Sequence, residues 1–159
     1  MKISILTVGK LKEKYFTQAV AEYAKRLSKY CTLEILEVAD EKTPDQASDK
    51  VEQQIRDKEG QRLMRLIRDD AFCIALAIQG EMLDSEELSK KIENITVRGV
   101  SHIQFVIGGS LGLSDQVLER ADYHLSFSRM TFPHQLMRVI LLEQIYRAFR
   151  ISRHEPYHK

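Results

Sequence analysis

The stretch His102-Ile103-Gln104-Phe105-Val106-Ile107-Gly108-Gly109-Ser110-Leu111-Gly112 decides the fold. Its first half is an apolar run too short for a helix and apolar on both sides, as a strand covered on both faces would be. Its second half is a glycine turn. Ser114 follows as an N-cap, and Val117, Leu118 and Ala121 mark the short helix it opens. A buried strand that runs into a glycine turn and a capped helix is the place where open α/β sheets bind ligands, at the carboxyl ends of their strands. Glycines there let a ligand approach the backbone, or they only supply the positive φ of a tight turn. The pattern is neither G-x-G-x-x-G nor G-x-x-x-x-G-K-[ST], so neither a dinucleotide nor a P-loop phosphate is expected.

Working outward, Phe72–Ile78 repeats the doubly covered pattern and stops before Gly80. Asp84 and Glu87 form a capping-box pattern for a helix with Leu88, Ile92 and Ile95 facing inward and an end near Gly99. Toward the N-terminus, Ile3–Val8 reads as a strand. A helix over Glu13–Ser28 follows, with Phe16, Val20, Tyr23 and Leu27 on one face, and Leu33, Ile35 and Val38 mark a second strand. A polar loop from Asp40 to Asp49 leads through Ser48 into a helix to about Ile67, whose thin apolar face suits the outside of a sheet. Tyr123–Ser128 is a last strand. Pro133 opens a final helix whose apolar residues, Leu136 to Phe149, cover more of its circumference than one sheet can use, so part of it is expected against a second subunit. Strands alternating with helices give an α/β fold, a mainly parallel sheet with helices on both faces.

Length and composition agree with one domain over residues 1–159: 43% hydrophobic and 30% charged residues suffice for a core without disulfides or a structural metal. The apolar start is too short for a signal sequence, and no apolar run approaches the roughly 20 residues of a membrane span, so a cytosolic protein with no membrane partner is expected. Cys31 and Cys73 read as reduced, buried thiols. Charge is uneven. Residues 1–30 carry seven Lys/Arg against two acids, residues 31–128 eleven against nineteen, and residues 129–159 six against two. The basic ends either form a local cationic surface for phosphates or are solvated helix lysines and arginines.

Two C-terminal segments bear on chemistry. His154-Glu155-Pro156-Tyr157-His158 spells H-E-x-x-H, but Pro156 disfavours the helix that motif needs by roughly 3 kcal/mol or more, so no metal is expected. Phe127-Ser128-Arg129-Met130-Thr131-Phe132-Pro133-His134 joins a strand to a helix with aromatics, hydroxyls and a stiffening proline, which suits stacking on a flat heterocycle or filling the core. Downstream, Arg138, Arg147, Arg150 and Arg153 interleave with Tyr146 and Tyr157, either as a nucleic-acid surface or as a helix salt-bridged through Glu143.

Val8-Gly9-Lys10, Phe105–Leu113 (FVIGGSLGL), Leu125–Arg138 (LSFSRMTFPHQLMR), Glu143–Ala148 (EQIYRA) and Pro156-Tyr157-His158 together resemble the small SPOUT-class methyltransferases. Among these, the chain is similar along essentially its whole length to the bacterial family that methylates N3 of a pseudouridine in 23S ribosomal RNA, on assembled ribosomes. The resemblance implies a C-terminal trefoil knot, a rare departure from unknotted topology, and a homodimer. It also implies S-adenosyl-L-methionine as cofactor, held by main-chain groups at Leu76, at Gly108 and along Phe127, Ser128, Arg129, Met130, Thr131 and Phe132. Loss of the N3 proton calls for a base or a cation, for which His134, Arg138, Arg150, Tyr157 and His158 are the candidates, the tail pair Tyr157 and His158 foremost. A ribosome-associated RNA-binding factor without catalysis and a phosphate-ligand enzyme are the rival readings.

Overall fold

A computed structural model describes residues 1–159, and the chain order alternates throughout. The elements are β1 (Lys2–Val8), α1 (Lys14–Leu27), β2 (Thr32–Val38), α2 (Asp49–Met64), β3 (Phe72–Met82), α3 (Ser85–Val97), β4 (His102–Ile107), α4 (Asp115–Arg120), β5 (Tyr123–Ser126) and α5 (His134–Ser152). The strands form one sheet in the order β2-β1-β4-β3-β5, and every neighbouring pair is parallel. All of β4 is buried, as its unbroken apolar pattern requires of the middle strand.

Alternation along the strands sorts the core into two layers. Ile3, Ile5, Ile74, Ile103, Phe105 and Ile107 point to one face and pack with Val20 and Leu27 of α1, Leu88, Ile92 and Ile95 of α3, and Leu141, Leu142 and Ile145 of α5. Leu6, Val8, Cys73 and Val106 point to the other and pack with Leu63 of α2 and Val117 of α4. Both cysteines are free, and burial pushes each thiol up to about 11, which leaves them protonated at neutral pH. No helix is long and apolar enough to cross a membrane.

The caps fall where the sequence puts them. Ser48 and Ser114 each accept the N–H three residues on, at 3.3 Å, and Asp84 with Glu87 makes the reciprocal box at 2.7 Å in both directions. Three boundaries differ from expectation. First, α2 ends at Met64 rather than about Ile67, because the buried side chain of Gln104 on β4 donates to the Leu66 carbonyl at 3.0 Å and accepts from the Arg68 N–H at 2.8 Å. Second, β5 stops at Ser126. The Ser126 hydroxyl donates to the Ser128 carbonyl and the Ser128 hydroxyl accepts the Met130 N–H, so side chains turn the backbone away from the ladder.

Third, β3 does not end at Ile78 but continues to Met82 around a bulge. Leu76 and Glu81 both pair with Leu125, which leaves Ala77–Gly80 looped out of the ladder. Gly80 closes the bulge against β5: a Cβ there would lie 2.7 Å from the His124 carbonyl oxygen. Gly80→Ala is therefore expected to destabilise the fold by about 1–3 kcal/mol, read as a lower urea midpoint with unchanged slope.

Candidate functional site

Three connections at the carboxyl ends of the sheet surround a cavity of about 1010 Å³. The β3 bulge gives one wall (Leu76–Gln79), the glycine turn after β4 a second (Gly108–Leu113), and the segment from β5 into α5 the third (Phe127, Ser128 and Met130–His134). Gln53 and Arg56 of α2 and Asp115 of α4 complete the rim. The size is that of a small-molecule site.

The glycine turn is tight because its backbone folds onto itself. Gly112 N–H donates to the Gly109 carbonyl at 3.1 Å, and a Cβ on Gly108 would lie 2.7 Å from the Gly112 carbonyl carbon and 3.0 Å from the Leu113 nitrogen. The N–H groups of Ser110 and Leu111, and of Thr131 and Phe132, have no acceptor in the chain and remain available to a ligand, whereas Gly109 pairs with Gly112 across the turn. Arg56 and Asp115 are the only Lys, Arg, Asp or Glu side chains on the lining. A lining of backbone donors and apolar side chains, with one arginine and no lysine, suits a flat heterocycle joined to a small cation better than a polyphosphate.

The expected cofactor positions converge on this cavity with one exception. Leu76, Gly108, Phe127, Ser128, Met130, Thr131 and Phe132 line it, whereas Arg129 is exposed and does not. Phe127 both lines the cavity and packs on the core, and Phe132 lines the cavity without joining either core layer.

The five candidates for proton handling separate. His134 alone lines the cavity, and burial first, then the Arg138 guanidinium, hold its imidazole below the ordinary 6.5. Arg138 is only 2% exposed. It pairs with Glu37 at 2.5 Å and donates to the Val8 and Gly9 carbonyls at 3.3 and 2.7 Å, which ties α5 to the ends of β1 and β2. Arg150 donates to Glu155, to the Tyr30 hydroxyl and to the Pro156 carbonyl, and so locks the tail.

Tyr157 and His158 line no part of their own chain's cavity. The Tyr157 hydroxyl donates to Glu143 at 3.0 Å and its ring meets Tyr146 edge-on at 4.9 Å; burial first, then the Glu143 bond, push the phenol up to about 12. His158 Nδ1 lies 3.1 Å from Arg147 Nη1, and since a guanidinium only donates, Nδ1 accepts. Arg147 is itself paired with Glu143 at 2.5 Å, so the salt-bridged reading of this helix holds for Arg147, and Arg150 is likewise paired within the chain, with Glu155. The H-E-x-x-H residues do not form a helix: α5 ends at Ser152, His154 has φ +55°, and no metal-binding cluster forms.

The sequence profile described as "Predicted SPOUT methyltransferase" matches residues 1–158. The chain belongs to the SPOUT methyltransferase family. Among similar SPOUT proteins, the ribosomal RNA large subunit methyltransferase H of Bifidobacterium adolescentis is 65% identical over 100% of both chains. The corresponding protein of Clostridium perfringens strain 13 is 61% identical, again over 100% of both. A probable methylase family protein from Haemophilus influenzae Rd KW20 shares the fold with a TM-score of 0.52 at 13% identity, covering 99% of this chain and 70% of that one.

The Gly108 contact gives a direct check on the SPOUT cavity. Because even a methyl group would strike backbone, Gly108→Ala is expected to weaken S-adenosylhomocysteine binding at least about tenfold while far-UV circular dichroism stays unchanged. Undiminished affinity in calorimetry would place the ligand elsewhere.

Proposed function

We propose that this chain is an S-adenosylmethionine-dependent methyltransferase that modifies N3 of a pseudouridine in 23S ribosomal RNA, working in the cytoplasm on assembled ribosomes. The observation that carries the reading is the cavity walled by three backbone turns, at the positions the SPOUT resemblance assigns to the cofactor. The names of the full-length relatives support ribosomal RNA as the substrate. We further propose that the whole chain is one domain, that its C-terminal part is knotted, and that two copies associate. Leu136 and Ile140, one turn apart on α5, support the dimer: both are apolar, only partly buried and outside either core layer.

When bound, the cofactor supplies a methyl group already activated by its sulfonium, so the protein's part is alignment and proton removal. Apolar side chains at Leu76, Leu125 and Phe132 keep the cavity wall dry, and the free N–H groups of the two turns would hold the cofactor. His134 is the one expected proton acceptor on the cavity wall. Its neutral form can take the N3 proton, and Arg138 is a positioning residue that favours that neutral form. With its phenol raised to about 12 and donating to Glu143, Tyr157 serves as a hydrogen-bond donor and not as a base. Tyr157 and His158 of one copy would then act at the cavity of the other, since both sit away from their own.

Ribosomes from cells lacking this protein, incubated with the purified protein and methyl-labelled cofactor, are expected to gain N3-methylpseudouridine in 23S RNA by mass spectrometry. Ribosome binding without transfer would favour a non-catalytic factor. The pH dependence follows from the sign of the His134 shift. A base whose pKa lies below 6.5 stays neutral at pH 7, so kcat/KM for the RNA, measured at saturating cofactor, is expected to hold level at neutral pH and fall only on the acid side of 6.5. His134→Asn is expected to lower kcat about a hundredfold and remove that acid limb; a limb that survives the substitution would assign the proton to another group.

A further inference from the structure

Glu59 of α2 is 4% exposed and lies directly behind the glycine turn. One carboxylate oxygen, Oε2, accepts the Glu41 N–H at 3.0 Å; the other, Oε1, is buried without a partner. A Cβ built on Gly109 would lie 3.1 Å from Oε1 and 3.4 Å from Oε2, so the carboxylate packs directly against this turn. The N–H groups of Ser110 and Leu111 in this turn are also unpaired. A buried acceptor without a donor thus lies against a backbone segment that carries donors without an acceptor, and leaving either unmet is costly.

We propose that Glu59 is a positioning residue for the cofactor: when the Gly108–Gly112 turn closes on its ligand, the free Glu59 oxygen accepts an N–H of that turn and fixes the shape in which the remaining N–H groups meet the cofactor. This rests on the cavity being the S-adenosylmethionine site. The bond forms with the ionised carboxylate, so affinity is proton-linked. Burial, the first cause, raises the Glu59 pKa above its ordinary 4.5, and Asp40 and Glu41 beyond β2 add to that, while the Glu41 N–H and Arg62 of α2 oppose it. Around it, Lys58 and Arg62 are paired with Glu41, Val8 of β1 contributes only a methyl group, and Ser114 before α4 meets the next residue, Gly60. From α5, His134 is linked to the group through Asp40, which acts on both. Affinity is therefore present above the raised Glu59 pKa and lost as pH falls through it.

The test is S-adenosylhomocysteine binding by calorimetry from about pH 8 to about pH 5, with His134→Asn as the background so that the imidazole does not titrate. In that background Glu59 should give an affinity that falls on acidification. Glu59→Gln, nearly the same shape but never charged, should bind about tenfold more weakly at neutral pH with a flat profile. Hydrogen exchange at residues 108–112 should slow on ligand binding with Glu59 present and far less in the glutamine variant. In turnover, Glu59→Gln should raise the cofactor KM more than it lowers kcat. Should Glu59→Gln fold poorly, Glu59→Asp keeps the charge but withdraws it by one methylene, and should likewise weaken binding while retaining the pH dependence. Equal affinity and equal pH profiles with and without the Glu59→Gln substitution would overturn the proposal. Absence of binding by the unsubstituted protein would instead overturn the cofactor reading on which it rests.

Discussion

Three oxygens from two strands converge on one buried guanidinium: Glu37 on β2 and the carbonyls of Val8 and Gly9 at the end of β1 all bind Arg138. That convergence decides where α5 begins, because Arg138 lies one turn into the helix and His134 and Met137 beside it line the cavity. The Gln135 side chain adds a second tie by accepting the Lys12 N–H at 3.1 Å. Without these ties the segment from Phe127 to Pro133 would have a fixed start on β5 but no fixed end. A charge this deeply buried is held by its partners, and removing Glu37 would leave it with the two carbonyls alone.

Most of the fold was legible where local chemistry is complete within a few residues. The two Ser caps, the Asp84–Glu87 box and the all-buried β4 are each decided by neighbours in sequence, and the structure agrees with them. What escaped depends on distant residues. The end of α2 is set by Gln104, which lies 36 and 38 positions from its two partners. The β3 bulge is set by β5, and the polar residues after Ile78 hide the strand's return.

The site shows the same division. The glycine turn and Phe127–Phe132 stood out by residue type as segments for a ligand or for the fold alone, and all of both but Arg129 lines the cavity. Arg138 reads as one more cation in a basic helix until its partner, 101 residues away, is seen, and it proves to be structural support instead of reactive surface. The basic C-terminal segment likewise loses part of its apparent charge: Arg147 and Arg150 are neutralised by Glu143 and Glu155. Glu59 carries no signal in the sequence, since on α2 it is one acid among several and only the fold puts it behind Gly109.

A ligand site built mainly from peptide groups has an evolutionary corollary. Ser110, Met130 and Thr131 line the cavity, and Ser110 and Thr131 bring unpaired N–H groups with them, so substitutions there that keep the backbone path would leave those groups in place. Only positions such as Gly80 and Gly108, where any side chain collides with backbone, are fixed by geometry. The rim and the surfaces around it are then free to drift toward new acceptors, so one scaffold can exchange its targets while keeping its methyl donor.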